Sequence, residues 1–337
     1  MSGYRVSQSA HFAASVAPTV WLDDLISIRD LSSADARTIL DLADVMKARP
    51  KDFRSSLTGK QLVLFFEKPS LRTRLTFESG MSSLGGTTFF VDQTRERLGA
   101  REKLSDIAHN LERWVDGVVL RTFEHATIQQ MAEHAGIPVI NALSELEHPC
   151  QALADYLTLR QKFGDTSDVH LAFVGDGNNV AHSLMLTAAL LGSVFTIATP
   201  PGYEPSAEVV ASAKAIAGST GASIKITHDP IAAVSSADAV YTDVWASMGQ
   251  ESETADRHKV FAPYQVNDQL MACAASHALF MHCLPAHRGD EVTDSVIDSL
   301  RSVVFDQAEN RLHVQKAILF LLLGDSKQHL ISGRANA

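Results

Sequence analysis

Short runs of consecutive apolar residues alternate with longer stretches of helical period along most of the chain. Gln61–Glu67 (QLVLFFE) predicts a buried strand, and Leu71–Leu84 a helix closed by Gly85-Gly86. Thr87–Val91, Gly117–Leu120 and Pro138–Asn141 predict further strands, separated by helices at Lys103–Val115 and Ile128–Ala135. A long helix follows at Pro149–Phe163. A second series then begins, with strands at His170–Val174, Val194–Thr199, Ser223–Thr227, Ala239–Thr242 and Leu279–His282. Helices at Ala181–Leu191 and Ala207–Ala217 alternate with them, and Leu312–Leu323 closes the chain as a helix. Continuous apolar strands alternating with helices predict parallel sheets covered on both faces. Two such series predict an α/β chain of two domains, each a central mostly parallel sheet flanked by helices. The expected boundary lies in or just after the helix that ends near Phe163. Ligands are expected in the loops at the carboxyl ends of the strands.

Composition narrows the class. The 337 residues are about twice a usual domain, with 45% hydrophobic and 20% charged residues, which excludes disordered and fibrous chains. The longest apolar run, Ala317–Leu323, is far short of a membrane span, so no membrane role is expected. A net charge of −10 gives no bulk case for nucleic acid, although a few converging arginines can still draw a small anion. Three widely spaced cysteines (Cys150, Cys273, Cys283) without a CxxC argue against disulfides and structural zinc, and for a reducing, cytoplasmic setting. Residues 1–20 are rich in Ser and Ala but hold one Arg, too few for a transit peptide, and are read as a flexible extension.

Five blocks carry chemistry. The first strand runs into Lys68-Pro69 and then Ser70-Leu71-Arg72-Thr73-Arg74. Ser70 suits an N-cap, so the helix N-terminus beyond it favours a phosphate, with Arg72 as a forked cation. Arg72 and Arg74 lie about 200° apart on a helix, so one faces a ligand and the other turns inward to an acid, with Glu78 as candidate. The plain alternative is a capped helix with two surface arginines. His148 and Gln151 share one face at the start of the long helix, where they could hold a carbonyl, with Asp155 orienting the amide; a His N-cap is the plain alternative. Gly175-Asp176-Gly177-Asn178-Asn179-Val180 half-matches a dinucleotide fingerprint. Val180 replaces its third glycine and no acid ends the next strand, so nicotinamide binding is poorly supported. Asn178 and Asn179 there suit a zwitterion. Asp243 at a strand tip could meet an amine, or simply cap a turn. Cys283 follows a strand with His282, His287 and Arg288 nearby, a setting that favours thiolate, whereas Cys273 reads as buried and inert. A Cys–His hydrolase is the rival reading, without any family-specific flank to support it.

Taken together, the blocks resemble the aspartate/ornithine carbamoyltransferase family. The matching pieces are SLRTR (Ser70–Arg74), RTF (Arg121–Phe123), HPCQ (His148–Gln151), GDGNN (Gly175–Asn179), DVWASMGQE (Asp243–Glu251), HCLPAHRG (His282–Gly289) and AENR (Ala308–Arg311), in order across Leu31–Leu323. The resemblance implies a flexible extension at 1–20, a carbamoyl-phosphate domain at 21–158, an ornithine domain at 159–310, and a C-terminal helix and tail at 311–337 returning to the first domain. It implies that Ser70, Leu71, Arg72, Thr73 and Arg121 hold phosphate. His148, Gln151, Arg311 and the backbone at Cys283-Leu284 would hold the carbamoyl group. Asn179, Asp243, Ser247 and Met248 would hold ornithine. Cys283, linked to Asp243, would accept or orient the amine proton. Ser247-Met248-Gly249 and the Cys of HCLP place the chain in the ornithine branch, since other branches alter these blocks. Arg97 stands where many members carry Gln or His, a position that often reaches carbamoyl phosphate from a neighbouring subunit. The implied reaction is carbamoyl transfer from carbamoyl phosphate to the δ-amine of L-ornithine, giving citrulline and phosphate, in arginine biosynthesis rather than breakdown. It implies no metal or cofactor and a homotrimer or trimer-based assembly. A sister transcarbamoylase with another amine acceptor, or a catalytically silent member, are the alternatives.

Overall fold

The computed structural model describes residues 22–246 and 254–324. The N-terminal extension, Ser247, Met248 and the tail beyond 324 therefore lie outside the described residues. Helix α1 (Ser33–Ala48) comes first, followed by β1 (Gln61–Phe66), α2 (Leu71–Ser83), β2 (Thr87–Asp92), α3 (Leu104–Leu111), β3 (Gly117–Arg121), α4 (His125–His134) and β4 (Val139–Leu143). These strands form a parallel sheet in the order β2-β1-β3-β4. The helix α5 (Pro149–Phe163) leads to a second parallel sheet, ordered β7-β6-β5-β8-β9. That sheet comprises β5 (His170–Val174), α6 (Asn179–Leu191), β6 (Val194–Ala198), α7 (Ala207–Thr220), β7 (Ser223–Thr227), α8 (Pro230–Val234), β8 (Ala239–Thr242), α9 (Thr254–Phe261), α10 (Asp268–Cys273) and β9 (Leu279–His282). Short α11 (Asp294–Ile297) and long α12 (Val304–Leu323) complete the described chain.

Continuous apolar runs made the inner strands: every residue of β3 is buried, as are Leu62–Phe66 of β1 and Leu171–Val174 of β5. One large core runs from α1 and the first sheet through α5, α6 and α12 to the second sheet.

Three expectations need correction. The closing helix begins at Val304, two turns before Leu312, because Gln307, Asn310 and Arg311 point inward and are buried there. Helix α1, opened by a capping box between Ser32 and Asp35, was not expected. Cys273 is exposed, not buried: it ends the short α10, whose Leu270 and Met271 take the buried side.

Candidate active site

Strand order places the cavity. In the first sheet β1 is flanked by β2 and β3, and in the second β5 is flanked by β6 and β8, so each sheet has a switch point where adjacent loops part. The loops after β1, β3, β5, β8 and β9 line a common cavity of about 370 Å³.

On the first-sheet side, Pro69 ends the strand run and Ser70 caps α2, its hydroxyl accepting the Thr73 N–H at 3.2 Å. Leu71 and Arg72 N–H groups then have no acceptor within the helix and lie at its positive end. Arg72 lines the cavity, half-buried, and among the described residues its guanidinium meets no carboxylate. Arg74 faces the other way. It does reach Glu78, at 3.0 Å, but it lies outward at the surface over the Phe90 ring, not inward as expected. The two-residue separation forces this: once Arg72 faces the cavity, Arg74 follows the outer face.

Arg121, the last residue of β3, is buried, and its Nε donates to the Lys68 carbonyl at 3.1 Å. Arg311 arrives from α12. It donates to Gln151 Oε1 at 2.5 Å and to Thr73 Oγ1 at 3.0 Å, and its buried Nε has no partner among the described residues. Burial, together with the other nearby cations, lowers the Arg121 guanidinium to about 9, still charged at neutral pH. Three guanidiniums thus face one cavity, and among the described residues none is paired with a carboxylate. Lys68 lines the same wall, buried over the Phe123 ring, its ammonium shifted down first by burial and then by Arg121. The sequence reasoning missed it, although its position at the strand's carboxyl end was the available signal.

His148 and Gln151 share the buried start of α5. The His148 side chain makes no capping bond, and its buried Nδ1 has no partner among the described residues. Burial and then the Arg311 and Arg121 charges push it well below the usual imidazole range, so the ring is neutral. Gln151 donates to Asp155 Oδ1 at 2.8 Å, as expected, while its oxygen takes the Arg311 bond. One Nε2–H remains for a ligand. Asp155 also accepts Gln307 Nε2 at 3.0 Å and the Tyr241 hydroxyl at 3.0 Å, joining α5, α12 and β8 in one buried node.

The second-sheet side carries Asp243 and Cys283. Cys283 Sγ donates to Asp243 Oδ1 at 3.0 Å. The expected thiolate is reversed: burial and the Asp243 carboxylate push the thiol well up. The basic neighbours that suggested thiolate are engaged elsewhere, His282 with Glu291 and Arg288 with Asp294 and Asp298. Asn178 is spent as the α6 cap and as a donor to Asp243 Oδ2 at 2.8 Å, so it offers a ligand little. Asn179 lines the cavity while donating to the Ser144 carbonyl at 2.6 Å. Gly177 serves packing, since a Cβ there would meet Pro205 N at 2.3 Å; no dinucleotide need be invoked. Asp176 pairs with Arg257 at 2.9 Å, and Arg257 also holds the Trp245 carbonyl at 2.8 Å, pinning the loop after Asp243. Asp243, His282 and Cys283 bring three donor types within 4.8 Å of one another, but the thiol and both imidazole nitrogens already have protein partners. Leu284 lines the cavity with φ +58°, a left-handed conformation costing about 1–3 kcal/mol in a non-glycine residue.

Arg97 stands apart. It is exposed, pairs with Glu124 at 2.6 Å, lies over Phe123, and does not line this chain's cavity. Ser70, Leu71, Arg72, Thr73, Arg121, His148, Gln151, Asn179, Asp243, Cys283, Leu284 and Arg311 do line it.

Comparison with known proteins matches both halves of the chain to one family. Residues 23–161 match the family model described as aspartate/ornithine carbamoyltransferase, carbamoyl-P binding domain, and residues 167–322 match its Asp/Orn binding domain. The ornithine carbamoyltransferase of Carboxydothermus hydrogenoformans is 50% identical over 303 residues, covering 89% of this chain and 97% of that protein. The protein named ornithine carbamoyltransferase, anabolic, of Pyrococcus furiosus is 48% identical over 306 residues, covering 90% of this chain and 97% of that protein. A solved ornithine carbamoyltransferase structure from Pyrococcus furiosus superposes with a TM-score of 0.86 at 48% identity, covering 89% of this chain and 96% of that one. With both halves matched and relatives near half identical along almost their full length, the chain belongs to the aspartate/ornithine carbamoyltransferase family.

Proposed function

We propose that the chain transfers the carbamoyl group of carbamoyl phosphate to the δ-amine of L-ornithine, giving citrulline and phosphate, in the biosynthetic direction. The observation that carries the reading is the convergence of Arg72, Arg121 and Arg311 on one cavity, without a carboxylate partner among the described residues. Facing them across the cavity is the carboxylate and thiol pair of Asp243 and Cys283. The anabolic relative supports the direction.

In this mechanism the phosphate sits at the α2 N-terminus against Ser70, Leu71, Arg72, Thr73 and Arg121. The carbamoyl oxygen and amide meet neutral His148, the remaining Gln151 N–H, Arg311, and the Cys283-Leu284 backbone. Asn179, Asp243, Ser247 and Met248 hold ornithine. The neutral δ-nitrogen attacks the carbonyl carbon, a tetrahedral intermediate forms, and the bond from that carbon to the bridging phosphate oxygen breaks. The nitrogen's surplus proton leaves with the phosphate. Positioning and fixed charge supply the rate, since the leaving group is already activated. Cys283, its thiol pushed up by burial and by the Asp243 carboxylate, orients the amine beside Asp243.

The domain division follows the same chemistry: residues 21–158 serve carbamoyl phosphate, 159–310 serve ornithine, and 311–337 return to the first domain. The packing of α12 against α1, α2 and α5 supports the return. Exposed Leu71, Leu75 and Phe89, on α2 and on the edge strand β2, support a homotrimer or trimer-based assembly in which Arg97 reaches a neighbour's cavity. A cytoplasmic location fits the three free cysteines.

A citrulline assay with a panel of amine acceptors tests the reading. Ornithine-dependent citrulline and phosphate in equal amounts are expected. Product from another amine alone moves the chain to a sister activity, and no product from any amine overturns carbamoyl transfer.

A further inference from the structure

We propose that Glu147 is a positioning residue for His148, fixing the imidazole from outside the cavity; this rests on the carbamoyl-transfer reading of that cavity. Glu147 is fully buried and does not line the cavity, whereas the next residue, His148, does. Both lie in the join between β4 and α5, where the chain leaves the first sheet. Their bonds run in opposite directions. The Glu147 carboxylate reaches the segment before α1, Oε1 accepting the Ser27 hydroxyl and Oε2 the Ile28 N–H at 3.0 Å. Arg29 adds its charge there, with Nε 3.8 Å from Oε1. The His148 N–H reaches α6 instead, donating to Ser183 Oγ at 2.8 Å. Ser183 is fully buried, and its hydroxyl lies 3.4 Å from Glu147 Oε2. One carboxylate thus joins the N-terminal segment to α6 immediately before the imidazole.

The Ser27 oxygen already accepts the Arg29 N–H at 3.0 Å and Arg29 Nε at 3.3 Å, which fills its lone pairs and leaves its proton for Glu147. The Ile28 N–H can only donate. Both carboxylate oxygens are therefore needed as acceptors. Without them the Ser183 hydroxyl can turn to the Asn179 carbonyl one turn back, as helical serines do, and the His148 N–H loses its fixed acceptor. The rest of the loop keeps its own ties. The Ser144 N–H donates to the Glu147 carbonyl at 2.9 Å, Asn179 Nδ2 to the Ser144 carbonyl at 2.6 Å, and His182 Nδ1 to the Leu146 carbonyl at 2.8 Å. Loss of the carboxylate therefore loosens His148 more than the loop as a whole. Nδ1 of the His148 ring has no partner among the described residues, so the ring's placement follows its main chain. A misplacement of about 1 Å at a reacting group can cost about a hundredfold in rate. The phosphate cradle at Ser70–Thr73 makes no bond to Glu147.

The test follows hydrogen exchange and kinetics in the full-length protein. Labelling with 15N-histidine reports the His148 amide, assigned by its lost signal in His148→Ala. In Glu147→Ala that amide is expected to exchange at least about tenfold faster relative to the His282 amide, which is held by Gln307. An equal change at both amides, or none at His148, overturns the proposal. Glu147→Ala is also expected to lower kcat for citrulline formation roughly tenfold or more. Binding of inorganic phosphate, measured by calorimetry, should stay within about twofold. In a His148→Ala background the same change should alter the residual kcat by less than about twofold, because residues acting as a unit do not add. Losses that multiply, an unchanged kcat in Glu147→Ala alone, or a proportional loss of phosphate binding overturn the positioning role. Should Glu147→Ala not fold, Glu147→Gln, which keeps the volume and one acceptor oxygen, carries the same tests with a kcat drop of roughly threefold or more. Failure of the wild type to make citrulline counts instead against the function reading, because exchange is read without substrate.

Discussion

Replacing Arg72 with Gly removes a cavity-facing charge that has no carboxylate partner among the described residues, so no buried acid is orphaned by the change. The loss should fall on the reaction. An anion-stabilising donor is worth about 2.7–4 kcal/mol of barrier. Arg72→Gly is therefore expected to lose at least about a hundredfold in kcat/KM for carbamoyl phosphate with assembly unchanged by light scattering; near wild-type turnover would remove it from the phosphate site. Cys283→Ser should keep part of the activity and leave the pH profile for ornithine in place, since burial and Asp243 already hold the thiol protonated. A limb displaced by about a unit or more would reinstate the thiolate. Asp155 sits in the opposite predicament. Burial raises its carboxyl to about 7, above its unfolded value. The native state then holds the proton more tightly than the unfolded chain, and stability from this group is lost as pH rises from the ordinary carboxylate range through about 7. Asp155→Asn should flatten the melting temperature against pH between 4 and 8; parallel curves for the two proteins would refute the shift. Much at this scale was legible beforehand, because Ser70, Arg72, His148 and Gln151 sit at fixed offsets from strand ends and helix starts. The ionisation of Cys283 was not. It depends on Asp243, forty residues away in sequence, which outweighs the basic neighbours visible beside it.

Among elements, strands were the easiest to place, since a continuous apolar run has one cheap destination between two helical layers. β8 and β9 fall where their apolar runs lie, while β7, at the sheet edge, alternates apolar and polar residues and buries none fully. Helix α12 was half hidden for the converse reason. Its first two turns bury Gln307, Asn310 and Arg311 against partners contributed by α2 and α5, and polar residues facing inward cannot be told from surface ones by hydropathy. Helix α1 did carry a readable signal, the Ser32–Asp35 capping box before Ile39, Leu40, Ala43 and Met46. Gln307 joins α12 to both halves of the site, donating to Asp155 and accepting the His282 N–H. Gln307→Ala strands the buried His282 N–H, costing about 1–3 kcal/mol, and removes one of three hydrogen bonds to the buried Asp155 carboxyl, worth about 1–2 kcal/mol more. It is expected to destabilise the protein by roughly 2–5 kcal/mol in urea unfolding, and a loss under about 0.5 kcal/mol would show that the node is slack.

At the scale of the whole molecule, one group of exposed apolar side chains lies where α2 opens the phosphate cradle: Leu71 is 72% exposed and Leu75 49%, and Phe89 on the edge strand β2 is 48% exposed, while Trp114, Ile231, Leu300 and Phe305 are exposed elsewhere. For the proposed trimer-based assembly, Leu75→Glu on that surface is expected to reduce the particle size in light scattering and to lower activity at dilute enzyme, with recovery at high concentration. An unchanged particle size would place the contact elsewhere.

The cradle also depends on order of synthesis. Arg72 and Arg121 precede the second sheet in the chain, whereas Arg311 belongs to α12, which follows it. A ribosome-bound chain whose final helix is still within the exit tunnel holds only two of its three anion-facing cations. Competence for the doubly charged reactant is thus acquired only once that helix has emerged, and removing it from the folded protein would undo it.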